Sequence, residues 1–301
     1  MSFLNALPGA VAQGLIWGLM AIGLYISYKI LDIADLTVDG SVCTGACVCA
    51  VLVTNGVPAW VSILVAFVAG AATGVITGLF HTALGIPTIL AGILTQLILW
   101  SVNLKILGRP YIQMSTRDYD LLLSSNDNIK TIIVATIVIA LTIISLWLFF
   151  YTEIGFTIKS TGDNEKMSRA QGVNVSLNKV IGLALSNGII ALAGALLAQY
   201  NGVASADMGR GAIVIGLAAI IIGLSVSLKI KPNFVVSLIG VVGGGIVYYI
   251  VYNLVMLLGL DTDLLKMLSA IIVAIFLAVP YVKATYFKKN KTVAKEESHN
   301  A

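Results

Sequence analysis

The chain has 301 residues, of which 58% are hydrophobic and 11% are charged, and its formal net charge is +4. Typical soluble domains contain about 45–50% apolar and about 25% charged residues. A mean hydropathy of +0.99 leaves too few polar groups to cover the surface of a soluble fold. The composition therefore predicts an integral membrane protein, and it excludes a disordered chain, a secreted disulfide scaffold and a nucleic-acid-binding protein.

Nine apolar stretches are long enough to cross a bilayer when the sequence is read with a window of about 19 residues. They lie at 10–28, 36–54, 59–80, 87–107, 130–151, 180–200, 211–228, 233–258 and 265–281. The second and seventh are short or interrupted by glycine. The sequence therefore predicts an all-α transmembrane helix bundle of about nine spans, within a range of eight to ten.

The basic residues predict the orientation of these spans. Most of the 18 Lys and Arg residues fall on the side of the 152–179 loop and of the C-terminal tail. Cytoplasmic loops carry an excess of Lys and Arg, so we expect the N-terminus outside and the C-terminus in the cytoplasm. Residues 1–282 form the predicted transmembrane domain, and residues 283–301 form a predicted disordered cytoplasmic tail.

Motifs for enzyme chemistry are missing from the sequence: it has no nucleotide-binding loop, zinc-ligand spacing or nucleophile motif. Cys43, Cys47 and Cys49 share one apolar stretch, and the first two lie on one helical face. A soft-metal site is one interpretation of that pair. Because no histidine or acid stands beside them, we favour small buried side chains.

An acidic segment, Leu31–Ser41, joins the first two predicted spans. Of the 14 acidic residues, Asp39 is the one that falls inside a predicted span. One interpretation is a capped helix start, in which Asp39 or Ser41 satisfies free backbone N–H groups. The alternative is a broken helix that lines a solute pathway.

The loop at 152–179 is longer than most connections in a compact protein. Its centre predicts a short helix over 163–172, with Asp163 as the cap, Glu165 and Arg169 placed to suit the helix dipole, and Gly172 as a left-handed stop. Such a helix has no apolar stripe to bury in its own bundle. We therefore expect it to dock on a cytoplasmic partner rather than to be a merely solvated loop.

Several segments resemble ATP-binding cassette (ABC) importer permeases of the branched-chain amino acid and ribose group. The segment Gly155–Asn174 resembles the coupling loop of these permeases, and Leu183–Leu196 resembles the helix that follows it. The tryptophan and tyrosine uptake subfamily is similar at Leu31–Ser41, Leu90–Leu94 and Asn103–Pro110. The resemblance extends over about residues 10–282.

This resemblance implies a permease with no catalytic site or cofactor of its own. Two cytoplasmic ATPase subunits would bind Mg-ATP, a solute-binding protein would deliver solute from outside, and a second copy of the permease would complete the path through the lipid bilayer. The residues implied in ATPase coupling are Asp163, Asn164, Glu165, Lys166, Met167, Ser168, Arg169, Ala170, Gln171 and Gly172.

Neutral polar and aromatic residues are the expected lining of the path, because the spans carry almost no charge. The candidates are Asp39, Asn103, Asn187, Asn201, Tyr248 and Tyr249. The subfamily resemblance implies an aromatic amino acid as the substrate, with nucleosides and branched-chain amino acids as alternatives. An ion-coupled secondary transporter is a further alternative, which would need carboxylates inside the membrane and related half-repeats.

Overall fold

The computed structural model describes residues 3–115, 119–227 and 233–257, together with the single residues Met267, Ala270, Ile271, Ala274 and Ala278. These ranges contain ten α-helices and a pair of short strands. The elements are α1 (Phe3–Tyr25) with a π-helical turn (Ile26–Ile30), α2 (Val38–Thr54), α3 (Ala59–Thr82), α4 (Thr88–Leu107), β1 (Tyr111–Gln113), α5 (Asn128–Phe150), α6 (Glu153–Asp163), α7 (Glu165–Ala170), α8 (Val175–Asn201), β2 (Val203–Ser205), α9 (Ala212–Ser227) and α10 (Phe234–Leu257).

The predicted all-α membrane bundle is confirmed. Six helices of the described ranges are long and apolar enough to span a membrane, namely α1 with its π-helical turn, α3, α4, α5, α8 and α10. The helices α2 and α9 are apolar but shorter. Eight of the nine predicted stretches therefore coincide with helices. The ninth stretch, 265–281, apart from five single residues, and the tail at 283–301 lie outside the described residues.

The central helix of the described bundle is α8, which packs against α1, α2 and α3. Small residues allow these close approaches: a Cβ atom at Gly45 would overlap the carbonyl oxygen of Ala191, and one at Gly74 would overlap that of Leu183. Membrane helices gain van der Waals contact in this way, since lipid offers no hydrophobic driving force between them. By contrast, α5 lies at the edge of the bundle, and only five of its 23 residues are buried.

The segment between the π-helical turn and α2 is extended rather than helical, and every second side chain in it is buried. Leu31, Ile33, Asp35 and Thr37 are buried in alternation, which is the period of an extended chain. Asp32 has a left-handed backbone with φ of 55°. Asp35 lies in this connection and outside the predicted spans, as expected, but the extended segment turns its side chain into the bundle, where it is buried.

The loop predicted at 152–179 is mostly helical. It contains α6 and α7, and α8 begins at Val175, five residues earlier than the predicted span. The short helix is α7, which runs over Glu165–Ala170 rather than 163–172. Asp163 ends α6, and the cap of α7 is Asn164, whose side chain accepts the N–H of Met167 at 3.0 Å.

Candidate functional site

Buried hydrogen bonds join the extended segment before α2, and the first turns of α2, to α3 and α8. The Asn187 Nδ2 donates to Asp35 Oδ2 at 2.7 Å, and Ser41 Oγ donates to Asn187 Oδ1 at 2.6 Å. The second oxygen of Asp35 accepts the N–H of Thr37 at 2.8 Å, and Ser41 Oγ also bonds the Thr73 hydroxyl at 2.8 Å. These side chains are fully or almost fully buried. The network therefore holds the non-helical chain in place inside the bundle, since buried polar groups are costly unless they are bonded.

Asp39 caps a helix, but the helix is not its own. Its two carboxylate oxygens accept the N–H groups of Gly211 and Ile213, each at 3.0 Å, so the carboxylate lies at the N-terminus of α9. Ser41, the other predicted cap, belongs to the buried network instead. Asp39 thus satisfies free N–H groups, as the first interpretation expected, but those of α9 rather than of α2.

A cavity of about 320 Å³ opens between α2, α4 and the turn before α9. Its lining residues are Asp39, Gly40, Cys43, Gln96, Leu97, Trp100, Asn103, Ala206 and Arg210. Asn103 is fully buried, and neither polar atom of its side chain has a hydrogen-bond partner among the described residues. Trp100 Nε1 donates to Asp207 Oδ1 at 3.2 Å, and the same oxygen pairs with Arg210 at 2.8 Å.

The six predicted path residues do not share one site. Asp39 and Asn103 line the cavity, whereas Asn187 belongs to the buried network. Asn201 lies at the end of α8, beside another pocket of about 290 Å³. Tyr248 and Tyr249 are buried on α10, where Tyr249 stacks on Trp17 of α1 with ring centroids 6.0 Å apart.

Sequence reasoning missed four residues of these two sites. Asp35 was placed in a connection, and Gln96, Trp100 and Arg210 were not considered. A signal for Asp35 was present in the alternation of Leu31, Ile33 and Asp35. The other three are brought to the cavity by contacts between segments more than 100 residues apart, for which one sequence gives no signal.

The three cysteines are buried, as predicted. Cys43 Sγ accepts the N–H of Gly209 at 3.1 Å, and Cys49 Sγ accepts a bond from Gln199 Nε2 at 3.3 Å. Both thiols therefore take part in the packing of α2 against its neighbours.

The helix α7 turns most of the predicted coupling residues outward. The exposed residues are Asp163, Asn164, Lys166, Met167, Arg169, Ala170, Gln171 and Gly172. Ser168 is buried instead, with its hydroxyl 3.3 Å from that of Ser160 in α6. The half-buried Glu165 pairs with Lys179 at 2.9 Å and Arg169 at 3.0 Å, and the hydrogen bond from Lys179 lowers the pKa of Glu165. One side of α7 is thus fixed to α6 and α8, and the other is free to contact a partner.

Gly172 ends this segment in the left-handed conformation, with φ of +82° and open space around a would-be Cβ atom. We expect Gly172→Ala to destabilise the end of α7 by about 1–2 kcal/mol, the usual cost of this conformation in an L-residue. Gly172→Asn should cost less, since asparagine tolerates it, and Gly172→Val should cost more. Hydrogen exchange of amides 165–171 would measure this order, and equal exchange in the three variants would contradict it.

Comparison with known proteins identifies the family. Residues 7–279 match the model of the permease component of branched-chain amino acid transport systems. The chain belongs to this family. A tyrosine transport system permease protein of Clostridioides difficile is 35% identical to this permease over 95% of each chain. An uncharacterized protein of Rickettsia prowazekii is 33% identical over 91% of the permease and 98% of that relative. No solved structure matches the permease.

Membership fixes the general role of the permease. It is a multi-pass cell-membrane protein and a transport subunit of an ABC importer rather than an enzyme. The family implies that ATPase and solute-binding partners work with it. Two structural features bear on this transport role: the exposed face of α7 and the cavity beside Asn103.

Proposed function

We propose that this chain is the membrane-spanning subunit of an importer that carries an aromatic amino acid, tyrosine or tryptophan, into the cell. The observation that carries this proposal is the similarity, over 95% of each chain, to a permease named for tyrosine transport. The description of the family model favours a second candidate, a branched-chain amino acid.

The proposed assembly contains two copies of this chain, two ATPase subunits beneath them and a solute-binding protein outside. The Mg-ATP binds to the ATPase subunits, and this chain holds no cofactor. Residues 1–282 form the permease domain, which crosses the membrane about nine times with its N-terminus outside. Residues 283–301 form a cytoplasmic tail.

The segment 163–172 is the proposed contact with the ATPase. Its support is the outward face of α7, whose exposed cations Lys166 and Arg169 flank the exposed Met167. On its other side, Glu165 ties α7 to Lys179 of α8. Closure of the ATPase pair would therefore move α8, the central helix of the described bundle, through a short rigid connection.

The proposed path passes the cavity beside Asp39 and Asn103. Asn187 supports its wall through the bonds to Asp35 and Ser41. We place Asn201 nearer the outer end of the path, and Tyr248 and Tyr249 on its far wall. ATP-driven closure would expose this path alternately to the two sides of the membrane.

Uptake by the purified complex in proteoliposomes tests the proposal. We expect ATP and the binding protein together to drive uptake of radiolabelled tyrosine and tryptophan, and a nonhydrolysable ATP analogue to stop it. Dominant uptake of leucine would identify the branched-chain alternative, and dominant uptake of uridine would identify a nucleoside importer. Uptake driven by an ion gradient without ATP would identify a secondary transporter and overturn the proposal.

A further inference from the structure

The side chain of Asn103 is the unexplained group of the cavity. It is fully buried, and both its amide nitrogen and its amide oxygen lack a hydrogen-bond partner among the described residues. Burying an amide without such partners is costly. Buried unsatisfied groups of this kind are uncommon in native proteins, so a function is the expected reason for keeping this one.

The lining around Asn103 combines opposite charges with an aromatic ring. Asp39 contributes a carboxylate, Arg210 a guanidinium, Gln96 a second amide and Trp100 an indole. Each oxygen of Asp39 accepts one backbone N–H, and an ionised carboxylate has about four acceptor positions in all. Arg210 gives one bond to Asp207 and has further N–H donors available. The cavity therefore offers donors and acceptors at once.

The mouth of this cavity faces water or another protein chain. The side chains of Asp207 and Arg210 are 58% and 62% exposed, and Leu97 and Trp100 beside them are also exposed. Charged side chains are costly against hydrocarbon and, inside membranes, almost always face a water-filled cavity or the interior of a bundle. A ligand can therefore reach this cavity from an aqueous path.

We propose that this cavity is a binding site for an aromatic amino acid in transit, an inference that rests on the proposed function. The Asn103 amide donates to the ligand carboxylate and accepts from its ammonium group, which also meets the free acceptor positions of Asp39. The indole of Trp100, oriented by its bond to Asp207, packs on the aromatic ring of the ligand. The volume of about 320 Å³ falls within the usual range for small-ligand pockets.

Replacement of Asn103 separates binding from folding. Asn103→Leu keeps a similar size and removes an unpaired buried amide, so we expect a complex at least as heat-stable as the wild type. Uptake of tyrosine below saturation should fall by about tenfold or more, since a bond to a charged ligand group is lost. Thr95→Val is the matched control, because Thr95 is also buried on α4 but its hydroxyl donates within that helix, to Ala91 O.

Four results of this experiment are decisive. A stable Asn103→Leu complex with impaired uptake and a normal Thr95→Val complex support the site. Wild-type uptake in Asn103→Leu overturns it, as does a complex that no longer assembles, because Asn103 would then be structural. If the wild type itself imports no aromatic amino acid, the proposed function has failed before the site is tested.

Ligand protection tests the same cavity without transport. Leu97 lines the cavity, whereas its neighbour Ile98 is also exposed on α4 but lies outside it. In the purified complex, tryptophan or tyrosine should slow the reaction of N-ethylmaleimide with the Leu97→Cys variant several-fold. The rate of the same reaction with the Ile98→Cys variant should not change. Both rates are corrected for the labelling of the parent chain. Uridine should protect neither position. Equal protection of both positions by the amino acids, or protection of neither, would overturn the site.

Discussion

Asp35→Leu should destabilise the permease by about 2–6 kcal/mol, because the buried N–H of Thr37 and the amide of Asn187 would each lose an acceptor at about 1–3 kcal/mol. The lost bonds are 2.8 Å and 2.7 Å long. The extended segment is not helical, so these side-chain bonds help to hold it in place. We therefore expect little assembled complex in detergent, and the unfolding midpoint of the purified protein measures the loss.

A double-mutant cycle shows whether this loss belongs to the pair. Asp35→Asn would turn one amide toward another, and Asn187→Asp would turn one carboxylate toward another. The combination Asp35→Asn with Asn187→Asp restores a donor opposite an acceptor, so it should recover part of the stability. Recovery is incomplete because Leu183 O also loses its bond from Asn187. Additive losses in the double variant, or a stable Asp35→Leu protein, would contradict this account.

Met167→Glu combined with Arg169→Glu should uncouple ATP hydrolysis from transport. Met167 is 58% exposed at the centre of the outward face of α7, and a carboxylate there would be buried without a partner when the ATPase docks. The second change replaces the ion pair of Arg169 and Glu165 with two like charges four residues apart. We expect uptake to fall by at least about tenfold, and the ATPase to lose its response to loaded binding protein.

Leu177→Glu provides the matched control, because Leu177 is similarly exposed in the first turn of α8 but lies outside 163–172. It should leave uptake unchanged. A cysteine at Met167 should also crosslink to one in the ATPase, whereas one at Ser168 should not, since Ser168 packs on α6. Coupled transport by the double variant, or crosslinking at Ser168 instead of Met167, would exclude this face as the docking surface.

The helices were predictable from sequence because a bilayer requires long apolar stretches, and those stretches stand out at residues such as 59–80 and 130–151. The ends of α7 were harder to predict. Asp163 and Asn164 can both cap a helix, and only the folded chain decides between them. In the folded chain, Gly162 lies so close to the carbonyl of Ile30 that a Cβ atom would overlap it. This contact joins the last turn of α6, which ends at Asp163, to a distant segment of the chain.

The candidate site was predictable only in part. Asp39 and Asn103 stand out because they are polar residues in apolar stretches, and the structure brings both to one cavity. Trp100 and Arg210 do not stand out: tryptophan is common at membrane interfaces, and Arg210 reads as a residue at a helix end. Their place in the site depends on the contact of α4 with the turn before α9, which only the three-dimensional fold supplies.

The hydrogen bonds of the Asp39 carboxylate also provide a way to detect movement of α2 relative to α9. The N–H groups of Gly211 and Ile213 are held by a side chain of another helix, so they exchange with solvent only when the two helices separate. If transport moves α2 and α9 as one rigid unit, these amides stay protected throughout the ATP cycle. If the path opens between the two helices, these amides lose that protection once in each turnover.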